Sequence, residues 1–393
     1  MVAYWPLTGF SQWQNLPKPK RGELMQQQQQ QDARYISSLY GGFWSFDVKD
    51  FCYMTNPYFP PDKFMESMGS RLRELVKSYP STNWYLSSLA AEPLGITHEE
   101  LVIANGASEL INAITDRFVK HLAVPIPTFD EFINRAAAQG KPVSMYQLEG
   151  DFKLDVEGFI EYVKDSGANT ALLINPNNPT GCVISQESIW QLLESLRHLD
   201  LVIFDESFID LVSYDPPPSA MSRLLEFPNL ILLKSLSKTY GIPGLRLGYA
   251  ASGNRERIAE LRSNLPIWGI NSLAQFFLEQ IGEYKQEFID SCAEVRRASQ
   301  LLSSGLQGVS YLRPYPSQGN FVLSRLTKGF TATELTTRLF EEFRILINDC
   351  SRKAGLDGSF VRMASRTVEE NTQLVQALQA LDATIPMEER AYR

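Results

Sequence analysis

The chain predicts an α/β protein, with a large domain on a mainly parallel sheet and a smaller α+β domain. Three observations carry this reading. Short apolar runs alternate with helix-period segments from about residue 101 to 275. Several of those runs stop abruptly in polar turns. Beyond 275, a long helical segment leads into isolated strand-like runs. At 393 residues the chain is long enough for two domains and a large core.

Residues 1–37 stand apart as an N-terminal extension or arm. They hold Trp5, Phe10 and Trp13, a basic Pro17-Lys18-Pro19-Lys20-Arg21 stretch, and the glutamine run 26–31, which reads as a linker or solvated helix. A helix-period segment covers about 62–79, and Tyr79-Pro80 closes it. Leu101-Val102-Ile103-Ala104-Asn105 reads as a strand. Gly106 turns the chain into a helix with Leu110, Ile111, Ile114 and Phe118 on one face. Leu172-Leu173-Ile174 is an apolar strand that runs into Asn175-Pro176-Asn177-Asn178-Pro179-Thr180-Gly181, where Pro and Gly set the turn. Leu201-Val202-Ile203-Phe204 is a strand that ends on Asp205. Leu230-Ile231-Leu232-Leu233 leads into Ser235-Leu236-Ser237-Lys238, with Arg246 soon after. A helical segment near 272–307 then precedes strand-like runs at 320–323, 345–347 and 361–364. The expected division is a large domain over 71–275, with 38–70 and 276–393 forming the small domain.

Composition narrows the function. Hydrophobic residues make up 44%, and the net charge is −8 with no long basic tract, which argues against a nucleic-acid partner. Cys52, Cys182, Cys292 and Cys350 are widely spaced without a CxxC pattern, so reduced thiols and no structural metal are expected. The three histidines, His98, His121 and His198, lie outside every motif. No run approaches the roughly 18 apolar residues a membrane span needs. With no signal-peptide pattern at the N-terminus, a cytoplasmic protein is expected.

Lys238 carries the chemistry. A lysine at the end of a buried strand loses hydration, which disfavours its charged form. A neutral lysine is a nucleophile that forms a Schiff base with an aldehyde. The hydroxyls of Ser235 and Ser237 and the Arg246 guanidinium suit a phosphate beside that amine. An aldehyde and a phosphate on one small molecule describe pyridoxal 5′-phosphate (PLP). In an open parallel sheet, ligands sit outside the carboxyl ends of the strands, so the Asn178 turn, Asp205 and Lys238 are expected to meet. Gly106 and the amides of Ala107 and Ser108, opening a helix, add an anion cradle.

Together these motifs resemble the fold-type I PLP enzymes of the class I/II aminotransferase group. Within it, the chain is most similar to threonine-phosphate decarboxylases and histidinol-phosphate aminotransferases, over roughly residues 38 to 383. The resemblance implies an aldimine on Lys238 and Asp205 facing the pyridine nitrogen. It implies Asn178 bonded to the ring hydroxyl, Phe129 stacked on the ring, and Arg362 binding the α-carboxylate of an amino-acid substrate. Tyr79 matches a tyrosine that reaches the cofactor phosphate of the partner subunit, which implies a homodimer with shared active sites.

Two sets of positions depart from the common pattern. Phe208 stands where many aminotransferases of this group carry tyrosine; the threonine-phosphate decarboxylases also tend to carry phenylalanine there. Tyr40-Gly41-Gly42 replaces their usual His-Gly-Gly, and Asn348 replaces an arginine that helps bind a substrate phosphate. An asparagine supplies no fixed charge, which argues against a phosphorylated substrate; Arg344 and Arg352 are the nearby candidates to compensate. Transamination of a free L-amino acid is placed first. Decarboxylation, and elimination or cyclisation on a hydroxylated amino acid, are the alternatives.

Overall fold

The computed structural model describes residues 36, 39 and 41–385. The remaining positions, which include Tyr40 and nearly all of the 1–37 segment, lie outside the described residues. Among the described residues twelve strands run in chain order, and five of them belong to a small sheet: β1 (Lys49–Phe51), followed after seven others by β9 (Leu312–Pro314), β10 (Phe321–Leu326), β11 (Ile345–Asp349) and β12 (Phe360–Ala364). The seven between are β2 (Leu101–Asn105), β3 (Leu122–Ile126), β4 (Val143–Gln147), β5 (Thr170–Ile174), β6 (Leu201–Asp205), β7 (Leu230–Ser235) and β8 (Leu247–Ala251).

Those seven form one sheet in the order β2-β8-β7-β6-β5-β3-β4. Every pairing in it is parallel except those of β8, which runs antiparallel to both β2 and β7. Strands β3, β5, β6, β7 and β8 are buried along their whole length, as continuous apolar runs covered on both faces require. Edge strand β4 is only partly buried, and its sequence mixes polar and apolar residues accordingly. Helices cover both faces and bury two apolar layers, one centred on Phe159, Leu192, Phe204 and Phe277, the other on Leu110, Ile114, Phe132 and Ile203. The expected α/β architecture on a mainly parallel sheet is therefore present.

The helix expected over 62–79 spans Asp62–Lys77, and its Phe64 and Met68 pack into the large-sheet core against residues such as Phe276 and Phe277. The single long helix expected near 272–307 is two helices, Ser272–Gln280 and Lys285–Gln307, joined by the 3-10 turn Ile281–Tyr284. The smaller sheet has the order β1-β11-β12-β10-β9 and its own core around Phe51, Tyr311, Leu335 and Leu374. Among the described residues no helix is long and apolar enough to cross a membrane. The four cysteines are unpaired.

Candidate active site

Neighbouring strands β5, β6 and β7 end side by side, so the Asn178 turn, Asp205 and Lys238 leave the sheet at one edge. The antiparallel strand β8 enters at that same edge. Its register, Asn105 opposite Leu247 and Ser235 opposite Gly248, brings Arg246 beside the β2–Gly106 corner. Gly106 has φ 80°, and a Cβ there would collide with the Arg246 guanidinium. Arg246 itself adopts φ 58°, a strained conformation for a residue with a side chain. The helix Ala107–Phe118 begins at this corner, and its first amides have no intrahelical acceptor. The Ser237 hydroxyl is buried without a partner, and a buried hydroxyl left unpaired calls for a ligand. These groups fit a phosphate.

Lys238 lies in the short helix Leu236–Thr239 that β7 feeds into. Its carbonyl accepts a 2.8 Å bond from the Asn56 backbone amide, which fixes the turn. Burial, then the Arg362 and Arg246 guanidinium groups, push its amine down to about 8. Asp205 closes β6 and is 4% exposed. Its Oδ1 accepts from the Ser207 amide at 2.9 Å and the Ser207 hydroxyl at 2.5 Å. The Ser207 oxygen in turn accepts from the Ser235 amide at 2.9 Å. Burial holds the Asp205 carboxyl above its ordinary range, so a cationic ring nitrogen is the partner that would stabilise its charged form. The neighbouring Glu206 points elsewhere. It accepts from the Ser219 hydroxyl at 2.6 Å and the Ala220 amide at 2.7 Å, and burial pushes it up to about 7.

Arg362, on β12, is 5% exposed and reaches across from the small sheet. Its Nη1 donates to the Asn178 Oδ1 at 2.6 Å and its Nη2 to the Cys52 carbonyl at 2.7 Å. Its Nε is buried and unpartnered. With its amide oxygen engaged, Asn178 has its NH₂ left to donate to a ligand oxygen. Arg366 supports this wall from behind, donating to the Asp50 carbonyl at 3.0 Å and pairing with Glu370 at 2.9 Å.

Phe129 follows β3 and remains 36% exposed, unusual for a phenylalanine and suited to a stacked ring. Phe208 is buried edge-on against Phe321, with centroids 5.2 Å apart, and brings no hydroxyl to the site. Asn348 sits opposite Arg362 in the β11–β12 register. Arg344, at the other end of β11, donates to the Asp47 carbonyl at 3.1 Å, and Arg352 is exposed. Two expected residues stand apart from this network. Gly42 caps the 3-10 turn Phe43–Ser45 through a bond from the Ser45 amide. Tyr79 is 78% exposed and rests on Trp268, with ring centroids 4.5 Å apart.

Sequence reasoning missed Ser207, which links Asp205 to the β7 terminus, and Asn56, whose Nδ2 also donates to the Thr239 carbonyl at 2.9 Å. The Asp205-x-Ser207 spacing is a local side-chain-to-backbone pattern that signals the first. Asn56 is distant in sequence and carries no such signal.

A desolvated lysine, a buried carboxylate, a glycine–arginine corner at a helix start and a buried arginine around one edge fit a PLP-dependent enzyme of the aminotransferase fold. The chain belongs to the family described as aminotransferase class I and II, whose model matches residues 52–378, and PLP is its cofactor. It is 37% identical to a CMP-5′-(3-aminopropyl)phosphonate synthase of Streptomyces rubellomurinus over 88% of this chain, and spans 55% of that longer protein. It is 32% identical to an L-serine phosphate decarboxylase of Campylobacter jejuni, covering 84% of this chain and 87% of that one. The solved structure of a decarboxylase from Sulfurospirillum multivorans aligns with TM-score 0.78 at 28% identity, over 90% of this chain and all of that one. Proteins named for the two groups the sequence resembles, threonine-phosphate decarboxylase and histidinol-phosphate aminotransferase, are also among its relatives.

Proposed function

We propose that the protein removes the α-carboxylate of an L-amino acid as CO₂, acting as a homodimer. The observation that carries the reaction is the similarity to the Campylobacter jejuni serine-phosphate decarboxylase, which extends across 84% of this chain and 87% of that one. Phe208 agrees with it, because this position is tyrosine in many transaminating members. This ranks decarboxylation, one of the alternatives read from the sequence, ahead of the transamination placed first.

The cofactor ring, when bound, withdraws electrons from Cα so that one of its bonds can break heterolytically. Gly106, Ala107, Ser108, Ser235, Ser237 and Arg246 would hold its phosphate. Asp205 would sit at its nitrogen, Asn178 at its hydroxyl and Phe129 on its face. Arg362 binds and orients the amino acid through its carboxylate, which a guanidinium grips with two parallel bonds. Decarboxylation breaks the bond from Cα to the carboxylate, CO₂ departs, and one proton must reach Cα. The Lys238 amine, held near 8 and therefore part-protonated at neutral pH, delivers that proton. Val76, Tyr79, Ile267 and Trp268 are each more than half exposed, an apolar cluster that supports a second copy docking there.

The holoenzyme, incubated with single L-amino acids or O-phospho-L-amino acids and no oxo acid, should release CO₂ and an amine in equal amounts. One equivalent of oxo acid, with amino-group transfer to the cofactor, would establish a transaminase instead. Asn348 decides the charge preference. Asn348→Arg should raise kcat/KM for O-phospho-L-serine about 10-fold or more, the worth of one charge-assisted contact. An unchanged value would mean that the phosphate is read elsewhere or is not part of the substrate.

A further inference from the structure

Outside the Lys238 site, a cavity of about 300 Å³ opens between the helix Lys285–Gln307, the loop after the 3-10 turn Ile209–Leu211, and the 316–320 loop before β10. It is large enough for a small ligand. Arg296, Ser299, Gln300 and Ser303 line it from one helical face. Ser213, Ser317 and Gln318 line the opposite wall. No carboxylate is among its lining residues.

The hydrogen bonds across it commit some donors and leave others to a ligand. The Gln318 Oε1 already accepts from the Ser213 amide at 3.1 Å and hydroxyl at 2.7 Å, so its NH₂ is the group left to donate. Arg296 makes one long bond, 3.4 Å from Nη1 to the Asp210 carbonyl. The Asp210 carboxylate is turned away, bonded to Lys234 at 2.7 Å. The Ser213 and Ser299 hydroxyls already donate, to the Gln318 Oε1 at 2.7 Å and the Gly319 carbonyl at 3.1 Å. A cation, an amide NH₂ and the hydroxyls of Ser303, Ser304 and Ser317, with no acid among them, form an environment complementary to a compact oxyanion.

We propose that this cavity is a second anion site, separate from the cofactor and substrate site, for a small phosphate- or carboxylate-bearing metabolite. It borders the active site, where its Leu211 and Val295 share an apolar cluster with Phe208 and its Gln318 meets the Asn178 turn. The Gln318 backbone amide donates to the Gly181 carbonyl at 2.9 Å, and Gly181 closes the turn that carries Asn178. An anion that draws in the Gln318 side chain therefore acts on the turn that holds Arg362.

The test is calorimetric titration of the holoenzyme with orthophosphate and, separately, with malonate, which distinguishes a phosphate from a dicarboxylate source. Saturable binding of either is expected, weakened at least 10-fold in Arg296→Gln and in Ser303→Glu, and retained in Arg362→Gln. The visible absorbance of bound cofactor verifies that each variant is folded. Binding that survives Arg296→Gln and Ser303→Glu, binding lost only in Arg362→Gln, or no binding of either probe to the wild type would each overturn the proposal.

Discussion

Lys238→Ala is expected to lower turnover by about 10⁴-fold or more, because in the proposed reaction one amine would serve both as the covalent anchor of the cofactor and as the proton carrier at Cα. The residues proposed to hold the cofactor's phosphate do not include this lysine, so the variant should still bind PLP, without the absorbance of a lysine-bound aldehyde. The wild-type apoprotein offers a pH signature of the same residue. Burial and the two guanidinium groups favour the neutral amine, which places its midpoint at about 8. The rate of covalent cofactor uptake should rise about ten-fold per pH unit up to that point and then level off. An ordinary lysine would keep gaining until about pH 10.4. At pH 7 this is an advantage of about two orders of magnitude in neutral amine. Stopped-flow absorbance checks it, and a rate still climbing at pH 10 would contradict a desolvated Lys238.

Asp205→Asn should lower kcat by about 10²–10³-fold, the usual cost of removing one preorganised charge from a reacting system. The substitution isolates charge from structure. An asparagine oxygen can still accept both bonds from Ser207, so the link to β7 is kept. Burial favours the uncharged form of Asp205 in the cofactor-free protein. Sign matters for stability here. A carboxyl raised by folding contributes stability that is present below its unfolded value near 3.8 and lost as pH rises through its folded value. At neutral pH the Asp205→Asn apoprotein should therefore be at least as thermally stable as the wild type. A large loss of stability, or an unchanged kcat, would remove Asp205 from the role assigned to it.

Much of this site was legible in the sequence because its parts are local. The Asn175–Gly181 turn, Asp205 and the Ser235–Lys238 segment each follow an apolar run that can only be a buried strand, and parallel strands put their polar ends together. The one helix that differed from expectation did so for an equally local reason. Apolar periodicity runs unbroken through 272–307, and it cannot register the 3-10 turn at Ile281–Tyr284, which interrupts the helix without a Pro or a Gly pair.

The order of strands was not legible. That β8 runs antiparallel, and so delivers Arg246 to the Gly106 corner, depends on which strands pair across the sheet. Residue identity alone placed Arg362 near substrate only by resemblance. Its actual partners, Asn178 and the Cys52 carbonyl, lie 184 and 310 residues away in the chain. The sequence by itself determined the class of fold and the chemistry of the amine, the acid and the turn, since strand burial and side-chain type are properties of short segments. Only the tertiary structure decided how the small sheet closes the site, what Asn348 faces, and that a donor-lined cavity exists beside Gln318. Those depend on contacts between segments far apart in the chain, which local periodicity does not encode.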